Sequence, residues 1–139
     1  MIAVDYESGD RLRIDVRGHE VVADQPVEDG GADAGPTPTE LFVASLGACV
    51  AFYAERFLRR NGLSTDGLKV ECAHRWAENP HRIGEIELVV NAPGLTDAKR
   101  AAFERVVDHC TIHNTLRQPP AISMVVSPAR TSALTERAI

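Results

Sequence analysis

A chain of 139 residues, 44% hydrophobic and 25% charged, is long enough to bury roughly two-thirds of the surface its unfolded form exposes, and this composition excludes disordered, fibrous and disulfide-scaffold classes. A formal net charge of -5 with acidic and basic residues interspersed offers no basic stripe to a phosphate backbone, so no nucleic-acid partner is expected. The opening MIAVDYESGDRLRID has no basic-then-apolar leader, and no stretch reads as approaching the ~20 apolar residues of a membrane span, so a single cytoplasmic domain without a membrane partner is expected.

Arg11 to Arg17 alternates, with Leu12, Ile14 and Val16 on one side and Arg11, Arg13, Asp15 and Arg17 on the other, the period of a half-buried strand. Ile2 to Tyr6 pairs with it through Ser8-Gly9-Asp10, and Glu20 to Ala23 extends the pattern beyond Gly18, giving an antiparallel meander over 1–23. The segment DQPVEDGGADAGPTP over 24–38 has no apolar period and reads as a long exposed loop, either functional or a plain connector.

Thr39 to Asn61 predicts a helix of about six turns. Thr37 or Thr39 is its N-cap, Gly62 its C-terminal stop, and Arg56, Arg59 and Arg60 lie near its negative end. No charge occurs between Leu41 and Ala54, which marks a buried central helix. Ala44, Ser45, Gly47 and Ala48 leave room for another element to approach closely.

A second hairpin is expected over 68–91: Val70, Cys72, His74 and Trp76 share one face, and Ile86, Leu88 and Val90 repeat the alternation after Asn79-Pro80. Thr96 caps a helix over 96–110 with the stripe Ala102, Phe103, Val106, Val107 and Cys110, and Ile112 to Leu116 adds a helical turn. Pro119 and Pro120 stop it, and 121–126 reads as a final strand.

Cys49, Cys72 and Cys110 are odd in number and widely spaced, a pattern of reactive or buried thiols rather than structural staples. A thiol reacts as its thiolate, so a reactive cysteine needs a nearby cation or a helix N-terminus. Cys49 is mid-helix, which turns attention to Arg11, Arg13 and Arg17 on the first sheet and, more weakly, to Arg56 two turns along its own helical face. Periodicity alone reads Cys49 and Cys110 equally well as small core residues, and Cys72 as an inert buried thiol. Cys110 and His113 have a spacing that suits two zinc ligands, but no second such pair exists in the sequence, so neither metal nor other cofactor is expected. No glycine pair follows a strand in the way that cradles phosphate.

The runs GGADAGPTPTELFVASLGACVAFYAERF and HCTIHNTL resemble the OsmC/Ohr superfamily of osmotically inducible and organic hydroperoxide resistance proteins. The resemblance extends from Asp24 to the SMVV segment. Its signatures are the helix start at Pro38 to Leu41 with a cysteine eight residues on, and the Cys110, His113, Leu116 run. It implies an α+β fold in which two chains intertwine as a homodimer, long cysteine-bearing helices packed between curved antiparallel sheets. It further implies that Cys49 is the peroxidatic residue attacking an organic hydroperoxide, that Cys110 resolves the sulfenic acid, and that a dithiol or small-thiol reductant reopens the disulfide.

Phe42, Leu46, Phe52 and Tyr53 suit the alkyl part of such a substrate, with His113 a further pocket candidate. In the Ohr branch a glutamate after the helix-start proline holds the activating arginine. Here Thr39 stands there, and Glu40 lies one residue on, about 100° round the helix. The pattern is therefore closer to an OsmC-like branch than to a standard Ohr. The thiolate-activating candidates are Arg11, Arg13, Arg17 and Glu40. The alternative reading is a non-catalytic dimeric module that binds a small apolar or thiol-reactive ligand.

Overall fold

The computed structural model describes residues 1–128. The described residues form two compact units, one from Met1–Thr37 together with the described residues after Gln118, the other from Pro38–Gln118.

In the first unit, β1 (Ile2–Ser8), β2 (Arg11–Val16) and β3 (His19–Ala23) form an antiparallel meander in sequence order. Because side chains alternate along a strand, the register Ile2↔Val16, Val4↔Ile14, Tyr6↔Leu12 and Ile14↔Val21 gathers the apolar side chains on one face. The other face carries the charges: the Arg13 guanidinium lies 3.2 Å from Asp15, 3.3 Å from Asp5 and 3.5 Å from Glu7. The apolar face stays open at β1, where Tyr6 is 71% exposed.

The segment after β3 is a largely exposed loop, as expected, but it closes on itself around one buried carboxylate. Asp24, 1% exposed, accepts hydrogen bonds from the backbone N–H of Gln25 (2.8 Å), Ala32 (3.2 Å) and Ala34 (3.1 Å). Its own N–H donates to the Pro36 carbonyl at 3.3 Å, and the Asp33 N–H donates to the Gln25 carbonyl at 3.0 Å. One carboxylate thus supplies acceptors to backbone donors that no ladder provides for. Gly31 is required for this closure, since a Cβ there would collide with the Gln25 carbonyl.

The final strand expected over 121–126 does not form: residues 121–127 carry no regular structure, and among the described residues the sheet of this unit is β1-β2-β3. Alternation supplies a face, whereas a strand also needs a ladder partner. Ile122 and Val126 are left 90% and 86% exposed.

The second unit is built on α1 (Pro38–Arg60). It opens on proline at its first position, where a missing N–H costs nothing. At the other end Gly62 adopts φ +66, its N–H bonds the Arg59 carbonyl at 3.1 Å, and the Leu63 N–H bonds that of Leu58 at 2.9 Å. That pair of bonds is a Schellman closure. By length and composition α1 is apolar enough to cross a membrane, contrary to the sequence expectation. Its buried side chains Val43, Leu46, Val50, Ala54 and Leu58 nevertheless form one stripe at helical spacing, packed against the rest of the unit.

The antiparallel hairpin of β4 (Lys69–Ala77) and β5 (Arg82–Asn91) lies against α1. Gly47 admits β4: a Cβ at this position would lie 2.5 Å from the Cys72 sulfur. Cys72 is exposed rather than buried, although partial burial still raises the pKa of its thiol.

Two further helices complete the unit, α2 (Asp97–Val107) and α3 (Thr111–Arg117). The expected helix over 96–110 stops at Val107 because the junction is pinned from several sides. Arg117 donates to the Asp108 carbonyl at 3.1 Å and to its carboxylate at 2.7 Å, while His109 Nδ1 lies 2.8 Å from the Arg105 carbonyl. Leu46, Val50 and Cys110 form one buried cluster, and Ala54, Leu58 and Phe103 form a second.

Candidate functional site

Cys110 does not end the α2 stripe. It is the extended N-cap of α3, and its sulfur accepts a hydrogen bond from the His113 N–H at 3.4 Å. The residue is fully buried. Burial pushes its pKa above the usual thiol range, the His113 N–H opposes that shift, and the neighbouring Cys49 thiol raises it further.

Cys49 is half-buried in the middle of α1 and packs on the cluster of Leu46, Val50 and Cys110. Two free thiols 61 positions apart in sequence are therefore direct neighbours, because α1 and the start of α3 share one core. Tyr53, one turn after Cys49, packs on the same cluster, and its hydroxyl lies 3.1 Å from that of Thr111.

Beside this pair is a cavity of about 610 Å³ whose lining includes Phe42, Leu46, Ile86, Leu88, His113 and Leu116. His113 Nδ1 is buried there without a hydrogen-bond partner among the described residues. Three of the five pocket candidates, Phe42, Leu46 and His113, thus meet at one cavity. Phe52 stands outside it, exposed, with its ring edge-on to Tyr53 at 5.7 Å and the Arg56 guanidinium 5.1 Å above it.

A family model described as OsmC-like protein matches residues 30–125. The chain belongs to the OsmC-like protein family. No curated protein matches it significantly. Among solved structures it is similar to an osmotic stress induced and detoxification response protein from Psychrobacter arcticus, with TM-score 0.75, 21% identity, and 82% and 85% of the two chains covered. It is also similar to an organic hydroperoxide resistance protein from Elizabethkingia anophelis (0.65, 21%, 86% and 89%) and to another from Legionella pneumophila (0.64, 17%, 84% and 89%). At these identities the likeness establishes the fold, a mixed α/β arrangement of antiparallel sheets and helices.

Within this OsmC-like chain the thiolate-activating candidates fare unequally. Glu40 lines a separate groove with Gly47, Val70, Cys72 and His74; nine residues of helix turn it about 180° from Cys49. Arg11, Arg13 and Arg17 belong to the first unit. Arg11 pairs with Glu7 at 2.8 Å, and Arg13 is held among carboxylates, Asp15 foremost, which raise its pKa. Arg17, at φ +52 in the β2–β3 turn, has no ion pair among the described residues. Sequence reasoning missed the capping role of Cys110. Its signal in the sequence was the break between the apolar stripe of Phe103, Val106 and Val107 and the turn that begins at Ile112.

Proposed function

We propose that the protein reduces organic hydroperoxides at Cys49 with Cys110 as the resolving thiol, and the observation that carries this reading is the contact between the two thiols at a shared core. The Cys49 thiolate attacks the distal peroxide oxygen. The O–O bond breaks, and the departing alkoxide takes a proton to leave as an alcohol. Cys110 then attacks the Cys49 sulfenic acid, a disulfide forms and water departs. A dithiol or small-thiol reductant returns two electrons by exchange. Burial keeps Cys110 protonated, so the second step quickens as pH rises toward its raised pKa. Three free cysteines suit a reducing, cytoplasmic setting.

One equivalent of cumene hydroperoxide is expected to yield a Cys49–Cys110 disulfide in peptide mass spectra, and Cys49→Ser to abolish peroxide consumption. Consumption at the parent rate by Cys49→Ser overturns the reading. The 610 Å³ cavity favours a second reading, a non-catalytic module that binds a small apolar ligand. Native mass spectra showing a copurified molecule, together with no disulfide after peroxide, select that one.

The acting form in this proposal is a homodimer. A single chain leaves Ile2, Val4 and Tyr6 of β1, Phe42 and Phe52 of α1, and the segment from Ile122 to Val126 exposed, an amount of open apolar surface that a second copy would cover. Sedimentation equilibrium at micromolar concentration is expected to give twice the chain mass of 15.1 kDa, and a monomer mass rejects the dimer.

A further inference from the structure

Below Cys49 on α1 lies a feature that peroxide chemistry does not use. A cavity of about 170 Å³ is lined by Tyr53, Arg56, Phe57, Arg60, Asn61 and Val106. At 3.6 residues and 5.4 Å per turn, Tyr53, Arg56 and Arg60 fall within about 40° of Cys49 around the helix and about 6, 10 and 16 Å along it. One stripe of α1 therefore carries the thiol, a phenol anchored to Thr111, and two guanidinium groups.

Arg59, on another face, is neutralised by Glu55 at 2.9 Å. Neither Arg56 nor Arg60 has an ion pair among the described residues, and Arg56 instead lies over the Phe52 ring at 5.1 Å. Asn61 is occupied, its side-chain amide donating to the Phe57 carbonyl at 2.8 Å. Basic side chains in a last helical turn offset the helix dipole, but that role requires no cavity between two helices. Here α2 contributes Val106 to the lining of the cavity. Two guanidiniums without a carboxylate partner among the described residues, lining a cavity large enough for several atoms, suit a small anion that each can hold in a fork of N–H donors.

We propose that Arg56 and Arg60 form an anion subsite for the carboxylate of a ligand whose opposite end, about 10 Å away, reaches Cys49. The subsite rests on the peroxidase reading for what happens at Cys49, while binding of the carboxylate stands without it. The acid is carried either by the hydroperoxide or by the thiol that reopens the disulfide.

The test compares 6-maleimidohexanoic acid with its uncharged amide as labels of Cys49, read by peptide mass spectrometry with Cys72 in the same digest as reference. The acid is expected to label Cys49 about tenfold faster than the amide, the effect of one charge-assisted contact. That ratio falls to near one in Arg56→Gln/Arg60→Gln and is recovered in large part in Arg56→Lys/Arg60→Lys. Equal labelling by acid and amide in the parent, or a ratio unchanged in the glutamine variant, overturns the subsite. Using a ratio removes any common effect of folding.

Because labelling needs no peroxide, a protein that shows the ratio but consumes no hydroperoxide keeps the subsite and loses the peroxidase reading; the reverse result does the opposite. The same glutamine variant distinguishes the two sources of the acid. If the hydroperoxide carries it, a carboxylated alkyl hydroperoxide is slowed more than cumene hydroperoxide. If the reductant carries it, dimercaptosuccinate is slowed more than dithiothreitol.

Discussion

The second unit is held by apolar contact at helical spacing: Val43, Leu46, Val50, Ala54 and Leu58 descend one face of α1 onto the hairpin, α2 and α3. The first unit has no such stripe. Its sheet shows an open apolar face, its other face is a set of ion pairs around Arg13, and its loop is closed by the Asp24 carboxylate. Apolar packing loses stability in proportion to the volume removed and is indifferent to pH. A closure that depends on one ionised acceptor is lost when that acceptor is protonated.

The largest effect is expected where packing is densest. Leu58 is fully buried with Ala54 and Phe103, and Phe57 meets Phe103 edge-on at 5.5 Å. Leu58→Ala is expected to cost about 2–5 kcal/mol in urea unfolding, because the neighbours of a rigid aromatic pair cannot collapse into the space. A loss below about 1 kcal/mol would mean that this cluster relaxes freely and that the unit is held elsewhere.

The same division governs what the sequence made legible. Strands β1 to β5 and helix α1 follow from period-2 and period-3.6 patterns, and Gly62 marks the end of α1, since each depends on near neighbours in the chain. The Cys49–Cys110 contact was carried by resemblance to a family, because periodicity cannot bring two helices together. What escaped depends on partners far along the chain. Asp24 is one polar residue among several in its segment until Ala32 and Ala34 return to it. Residues 121–126 alternate correctly yet lack a ladder. Glu40 looked adjacent to the functional position until the helix turned it toward Cys72.

The smaller effect sharpens the contrast. Asp24 has a pKa held below the usual carboxylate value, first by the Ala34 N–H and then by those of Gln25 and Ala32, against the opposing cost of burial. A carboxyl group with a depressed folded-state pKa contributes stability that is present above its unfolded value of about 3.9 and is lost as pH falls through the folded value. The amide proton shifts of Gln25, Ala32 and Ala34 are therefore expected to titrate together, with a midpoint below about 3.9, while the resonances of Leu58 and Phe103 stay unmoved through that step. In Asp24→Asn one oxygen becomes an NH₂ that meets a backbone N–H donor to donor. The three amides then lose their shared titration, and the loop is open at neutral pH. A midpoint at the ordinary value, or an acid step that persists in Asp24→Asn, would assign the closure to the backbone bonds at Pro36 and Gln25 instead.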